Sequence, residues 1–457
     1  MTLRIAHPPG YVPERAYVIS TLLGEHLGLG AVALEEQRAD TEIRLHGSEG
    51  RLLLGEGLFG TPESAWLSPG SMPMGPLERL DPTGTRLGLD GLDPLAVPFG
   101  TATLRLEPDE ISIGLDVLGS AFYFLSRYEE VAAPEHDLHE RYPVAASLAG
   151  REGLVERPVV DEYTELLRAA IHSLWPRLPV REPRFRILPS HDVDHPLCPS
   201  RSAGQVLRRA AGDVARRRDP ALAARRAAAF LAARRGRFDR DVCNTFDAIM
   251  DESERRGLRS AFYFMAGGED AHDGTYDLHG PWIQRLLGRI HARGHEIGLH
   301  PSYGTFRDPE LTRAELRTLV EACERAGVTQ ERWGGRQHYL RFECPTTWRN
   351  WEEAGLDYDS TLGFAEQPGF RSGTCHEHPV FDVRARKELR LRERPLVAMD
   401  VSLLQYQGLG HDEARARIRK LKRTCRHFNG DFTILWHNNR LLHRGARRLY
   451  RDAIDDD

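Results

Sequence analysis

Five times between residues 184 and 443 a helical pattern ends at a glycine, and short apolar segments alternate with these helices. "CNTFDAIMDESERR" ends at Gly257 before "SAFYFMA", and "PWIQRLLGRIHAR" at Gly294 before "HEIGLH". "PELTRAELRTLVEACERA" ends at Gly327, "TTWRNWEEA" at Gly355 before "LDYDST", and "ARARIRKLKRTCRHFN" at Gly430 before "DFTILWH". Glycine just past a helix adopts the left-handed cap cheaply. Helices alternating with short apolar strands predict βα units and a mainly parallel sheet. With "FRILP" ahead of these units and "LVAMDVSL" among them, the expected fold is α/β, a closed or nearly closed barrel.

Active groups of such barrels gather at the C-terminal strand ends. "ILPSHDVDHP", residues 187–196, places His191, Asp192, Asp194 and His195 directly after an apolar run. "HEIGLH", "AMDVSL" and "ILWHNN" end in the same way. Aspartates two apart on an extended segment face the same side. Held close, they repel unless a cation or a shared proton intervenes. The alternative is a turn with solvated carboxylates.

Residues 1–180 follow another pattern. "TEIRLH", "RLLLGEGLF" and "TATLRLEPDEISIGLDV" read as short strands, followed by helical patterns in "GSAFYFLSRYEEV" and "DEYTELLRAAIHSLW". A separate α+β N-terminal domain is expected, with its boundary at the proline cluster "PRLPVREPRF" and a second domain over 181–457.

Within that second domain, residues 201–240 carry 12 arginines and 3 acidic residues among many alanines, which predicts a helical insertion. It is a solvated face or a basic surface for an anionic glycan. Nucleic acid is disfavoured, because no aromatics interleave to stack bases and the net charge of the chain is only −5. The N-terminus "MTLRIAHPPGYVPERAY" lacks an apolar run of signal-peptide length, and no segment approaches about 18 uninterrupted apolar residues. A cytoplasmic protein without a membrane span is expected. The cysteines at 198, 243, 323, 344, 375 and 425 form no C-x-x-C pair, which suits reduced thiols. Gly28-x-Gly30-x-x-Ala33 follows a helical rather than a strand pattern, so it is no dinucleotide loop. No G-x-S-x-G elbow is present.

In order, "HDVDH", "RGHEIGLHPSYGT", "GGRQHYLRF", "LDYDSTLGF" and "TILWHNN" resemble the polysaccharide deacetylases of the NodB-homology type, carbohydrate esterase family 4. The likeness covers roughly residues 184–445. "VLGSAFYFLSRYEE" and "ERPVVDEY" also resemble a subgroup with an extra N-terminal domain. The resemblance implies a distorted (β/α)7 barrel that removes an acetyl group from a sugar or polysaccharide with a divalent metal, zinc being the first expectation. It implies Asp192 as base, Asp194 and His300 as metal ligands, Arg336 as partner of Asp192, and His437 as general acid. Asp400 is implied as the partner of His437, the Tyr339 backbone N–H as an oxyanion donor, and Leu435 as lining for the acetyl methyl.

One position departs from the family pattern. Where a second ligating histidine is expected, this chain has Gly304. A replacement ligand comes from His191, His195 or His338, or from waters; otherwise metal binding is weak or absent. His295 and Glu296 are expected to orient the strand. Trp333, Trp348, Trp351 and Phe364 stack on sugar or fill the core. Three functions are therefore weighed: a metal-assisted deacetylase, a metal-free hydrolase of another C–N or ester bond on the same barrel, and a non-catalytic glycan-binding barrel.

Overall fold

The computed structural model describes residues 2–198, 202–215 and 218–456. Its first sheet is mixed. The strands are β1 (Thr2–His7), β2 (Gly30–Glu35), β3 (Thr41–Leu45) and β4 (Arg51–Leu54). A ribbon of β5 (Glu78–Leu80) and β6 (Leu95–Val97) precedes β7 (Gly100–Leu106) and β8 (Glu110–Leu115). The order in the sheet is β2-β1-β3-β4-β8-β7. Alternation explains the buried face: β8 buries Ile111, Ile113 and Leu115 and turns Ser112 away.

The second sheet holds β9 (Arg186–Val193), β10 (Ala261–Phe264), β11 (Glu296–Leu299), β12 (Gly334–Gly335) and β13 (Tyr358–Asp359). It continues with β14 (His378–Asp382), β15 (Lys387–Glu393), β16 (Ala398–Met399) and β17 (Asp431–Leu435). The order is β14-β15-β13-β12-β11-β10-β9-β17-β16. All neighbours are parallel except β14 with β15. Helices Phe246–Glu254, Pro281–Ala292, Pro309–Arg325, Thr346–Ala354 and His411–His427 connect the strands, as the helix–glycine pattern predicts. Gly257, Gly294, Gly327 and Gly355 take positive φ of 65°, 77°, 74° and 95°. Gly430 does not. There Asn429 is left-handed, at φ 52°, and a Cβ on Gly430 would fall 2.2 Å from Cys375 Sγ.

Two expectations are not shown. The second sheet has nine strands, and among the described residues its ends are not joined by a strand ladder, so the expected (β/α)7 barrel is not established. The β14–β15 hairpin takes the free edge of β13, the place where closure would occur. Only single backbone bonds span the gap, from Leu396 N–H to Leu362 O and from Gly369 N–H to Val397 O, both 2.9 Å. Nor is a separate N-terminal domain shown. One hydrophobic core runs through both sheets. The helix Val117–Leu125 is buried on every side, so it needs apolar partners all round. Its Phe122 meets Phe381 of β14 at 5.2 Å between ring centroids. Polar contacts reinforce this seam: Arg371 Nη2 pairs with Glu130 at 2.8 Å, both side chains buried.

The arginine-rich stretch contains two helices packed on each other, Ala203–Ala215 and Pro220–Ala233; positions 201, 216 and 217 lie outside the described residues. Among the described residues, no helix is long and apolar enough to cross a membrane.

Candidate active site

The parallel strands deliver their polar residues to one end of the sheet. Asp192 stands in the last turn of β9 and Asp194 just beyond it; His300 follows β11, Arg336 follows β12, Asp400 follows β16, and His437 lies two residues past β17. Glycine at β12 makes the close approach possible. A Cβ on Gly335 would lie 1.8 Å from the Leu299 carbonyl oxygen, and one on Gly334 would enter the Tyr358 ring.

Arg336 is buried and every edge of its guanidinium is used. Nη1 donates to Asp192 Oδ1 (2.8 Å), Nε to Ser360 O (2.8 Å), and Nη2 to Ser190 Oγ and Ser360 Oγ (both 2.9 Å). Tyr263 lies under it, 5.1 Å from ring centroid to Cζ. This planar donor set aims one carboxylate oxygen and leaves the other, Asp192 Oδ2, 3.9 Å from His300 Nδ1.

His300 donates from Nδ1 to the Arg336 carbonyl (2.7 Å), which leaves the Nε2 lone pair facing Asp194 Oδ1 at 3.2 Å. Those two atoms are out of hydrogen-bond alignment, and each is buried without a partner. His338 Nε2 stands 3.7 Å from the same carboxylate oxygen, while its Nδ1 faces Asp273 at 2.9 Å. Ligand atoms of Asp194, His300 and His338 all lie within 4.8 Å of one another. Two imidazoles with outward-facing Nδ1 partners and one carboxylate are a suitable donor set for a divalent cation. The pair of orphaned buried atoms is what such an ion would satisfy. Burial alone would raise the Asp194 carboxyl, but His300, His437 and His338 outweigh it and hold it well below the usual carboxylate range.

His437 lies across this cluster, its Nε2 3.8 Å from Asp194 Oδ2. Asp400 fixes it twice, accepting from the His437 N–H at 3.1 Å and from Nδ1 at 2.8 Å. Burial disfavours the imidazolium, but Asp400 overcomes this, with Asp194 and Asp192 adding to it, and the group is raised to about 9.

These residues open on a cavity of about 410 Å³ lined also by Tyr339, Leu340, Met399, Tyr406, Arg440 and Arg141. Tyr339 sits in the left-handed region at φ 61°, in the turn that carries His338. The N-terminal part supplies one wall. Arg141, held by Asp137 at 2.6 Å, donates to the Tyr339 carbonyl (3.2 Å) and the Tyr406 hydroxyl (3.1 Å).

The predicted residues do not all reach the cavity. Leu435 is buried behind it, packed with Leu340 and Met399, which form the apolar lining. His191 is no ligand here: Nδ1 faces the Trp436 carbonyl at 2.7 Å and Nε2 the Tyr450 hydroxyl at 3.3 Å, beneath the sheet. His195 lines the cavity but is outside the close cluster. Gly304 is not among the lining residues. His295 accepts from the Ser260 N–H at 3.1 Å and so orients the strand. Trp348, Trp351 and Phe364 are core, and Trp333 packs against that core. Asp273 was not foreseen; "AHDGTYD" bears no periodic or motif signal that would single it out.

The profile of a family of unknown function (DUF7033) matches residues 3–176. No curated protein matches the chain. Among solved structures, the crystal structure of a proposed polysaccharide deacetylase from Mycobacterium smegmatis is similar, at 17% identity over 60% of this chain and 84% of that one, with a TM-score of 0.38.

Proposed function

We propose that this chain hydrolyses an acetyl group from an N-acetylated sugar, free or within a glycan, with help from a divalent cation. The observation that carries the reading is the convergence of Asp192, Asp194, His300, His338 and His437 on one cavity from four separate segments, with Arg336 bonded to Asp192 behind it. Asp194, His300 and His338 would hold the cation, zinc by donor type, and it would supply Lewis acidity to the acetyl carbonyl and the attacking water.

The remaining chemistry belongs to the chain. Asp192 takes the proton of the attacking water, and Arg336 keeps that carboxylate aimed. His437 delivers a proton to the departing amine nitrogen, while Asp400 holds the imidazolium and its orientation. Water and amide become carboxylate and amine, with Asp192 as base and His437 as acid. Leu340 and Met399 offer an apolar floor for the acetyl methyl. Arg141 and Tyr406 rim the space beyond, where sugar hydroxyls would be met.

His338 beside Asp194 and His300 favours the metal-assisted reading over a metal-free hydrolase, since it would stand in for the histidine missing at position 304. Acetate release from N-acetylglucosamine oligomers tests the function. Asp192→Asn should lower it by about 10²–10⁴-fold; equal release from both proteins would overturn the reading.

A further inference from the structure

A second cluster of ligand-type side chains lies far from the cavity, at the seam between the two sheets. Asp161 is in the first turn of the helix Val159–Leu174 and is buried. Its carboxylate accepts from the Thr374 hydroxyl (2.5 Å), the Cys375 N–H (2.9 Å) and the Cys375 thiol (3.0 Å). His376 follows at once in the chain. Its Nε2 donates to the Phe428 carbonyl at 3.2 Å, so its Nδ1 carries the free lone pair. One ligand atom each from Asp161, Cys375 and His376 lies within 4.8 Å of the others.

His26 supplies an independent sign. It is 5% exposed, and neither ring nitrogen has a partner. Two unpaired imidazole nitrogens inside a protein are costly unless a ligand satisfies one of them. The ring lies 4.9 Å from that of His376, and both line a small cavity with Asp161. The same two histidines also border a larger groove, which offers an ion a way in.

We propose that Asp161, Cys375 and His376 form a second metal site, for zinc or a similar thiophilic divalent cation, with His26 as the adjacent further imidazole. On binding, the Cys375 thiol releases its proton to solvent and its sulfur bonds the ion. The ligands join residues 26 and 161 to residues 375 and 376. The ion is therefore a clamp between the N-terminal part and the parallel sheet, and no substrate is needed to explain it. Nothing here depends on the deacetylase reading.

Cobalt(II) substitution separates the two sites, because Asp194, His300 and His338 include no sulfur. The full-length protein loaded with cobalt should show a thiolate-to-cobalt charge-transfer absorption in the near ultraviolet. Cys375→Ser should abolish the band, and zinc content by mass spectrometry should fall by one ion per chain. His376→Asn should weaken the band, while His338→Ala should keep it. Absence of the band from the wild-type protein, or its persistence in Cys375→Ser, would overturn the site. An inactive enzyme that retains the band would count against the proposed function and leave the clamp standing.

Discussion

Nδ1 of His338 lies 2.9 Å from Oδ1 of Asp273, a buried carboxylate that can only accept there. The proton is thereby placed on Nδ1, and the Nε2 lone pair is presented to Asp194. Removing the orienting carboxylate should loosen the metal as surely as removing the ligand. Asp273→Asn is expected to weaken zinc binding by about 10–100-fold, and His338→Ala by at least as much. Competition with a chromophoric chelator measures both; affinities equal to wild type would remove His338 from the site.

The same geometry predicts that a histidine placed at position 304 accomplishes nothing. A side chain at position 304 would start toward Leu311, whose Cδ2 is 3.8 Å from the Cβ position. Gly304→His should leave zinc affinity unchanged in the chelator assay. Tighter binding would mean that this turn swings toward Asp194 in solution.

His437 carries the clearest pH signature. Its folded value of about 9 lies above the ordinary 6.5. Between those values the folded chain binds more protons than the unfolded one. The stabilisation is therefore complete below about pH 6.5 and is lost as pH rises through about 9. Proton NMR of the chelator-treated protein should find the His437 imidazole titrating in the alkaline range, and Asp400→Asn should return it toward neutrality. An unshifted titration in both proteins would deny Asp400 its role.

Arg336→Lys tests the four hydrogen bonds that hold the guanidinium against Asp192, Ser190 and Ser360. A lysine reaches one or two of these acceptors and cannot fix the carboxylate plane. We expect kcat to fall about a hundredfold through misplacement of the base, with KM little changed. Retained kcat would show that orientation of Asp192 is set elsewhere.

The seam between the two sheets is tested by Arg371. Its guanidinium binds both oxygens of Glu130, which also pairs with Arg127, and all three side chains are buried. Arg371→Ala leaves Glu130 with half its compensation, at an expected cost of about 3–5 kcal/mol. Urea unfolding followed by fluorescence should show one cooperative transition moved to lower denaturant. Two transitions in the wild-type protein would show that the two parts fold independently.

Local order accounts for what could be read without coordinates. Helix ends and strand ends depend on near neighbours, so the helix–glycine–strand rhythm named the parallel units and the strand ends that bear Asp192, Asp194, His300, Asp400 and His437; Arg336 came only from the resemblance. The rhythm misjudged Gly430, whose need for a small residue comes from Cys375, a contact across 55 positions that no local pattern encodes.

By itself, then, the sequence determined which residues could do chemistry and on which strand ends they would stand, because alternation and capping act over a few residues. Only the tertiary structure decided that the sheet ends open beside a hairpin, that the N-terminal part shares its core, and that His338 rather than position 304 stands beside Asp194 and His300. Those outcomes rest on packing and on hydrogen bonds such as His338 to Asp273, made between side chains 65 positions apart, whose partners become neighbours only when the whole chain has folded.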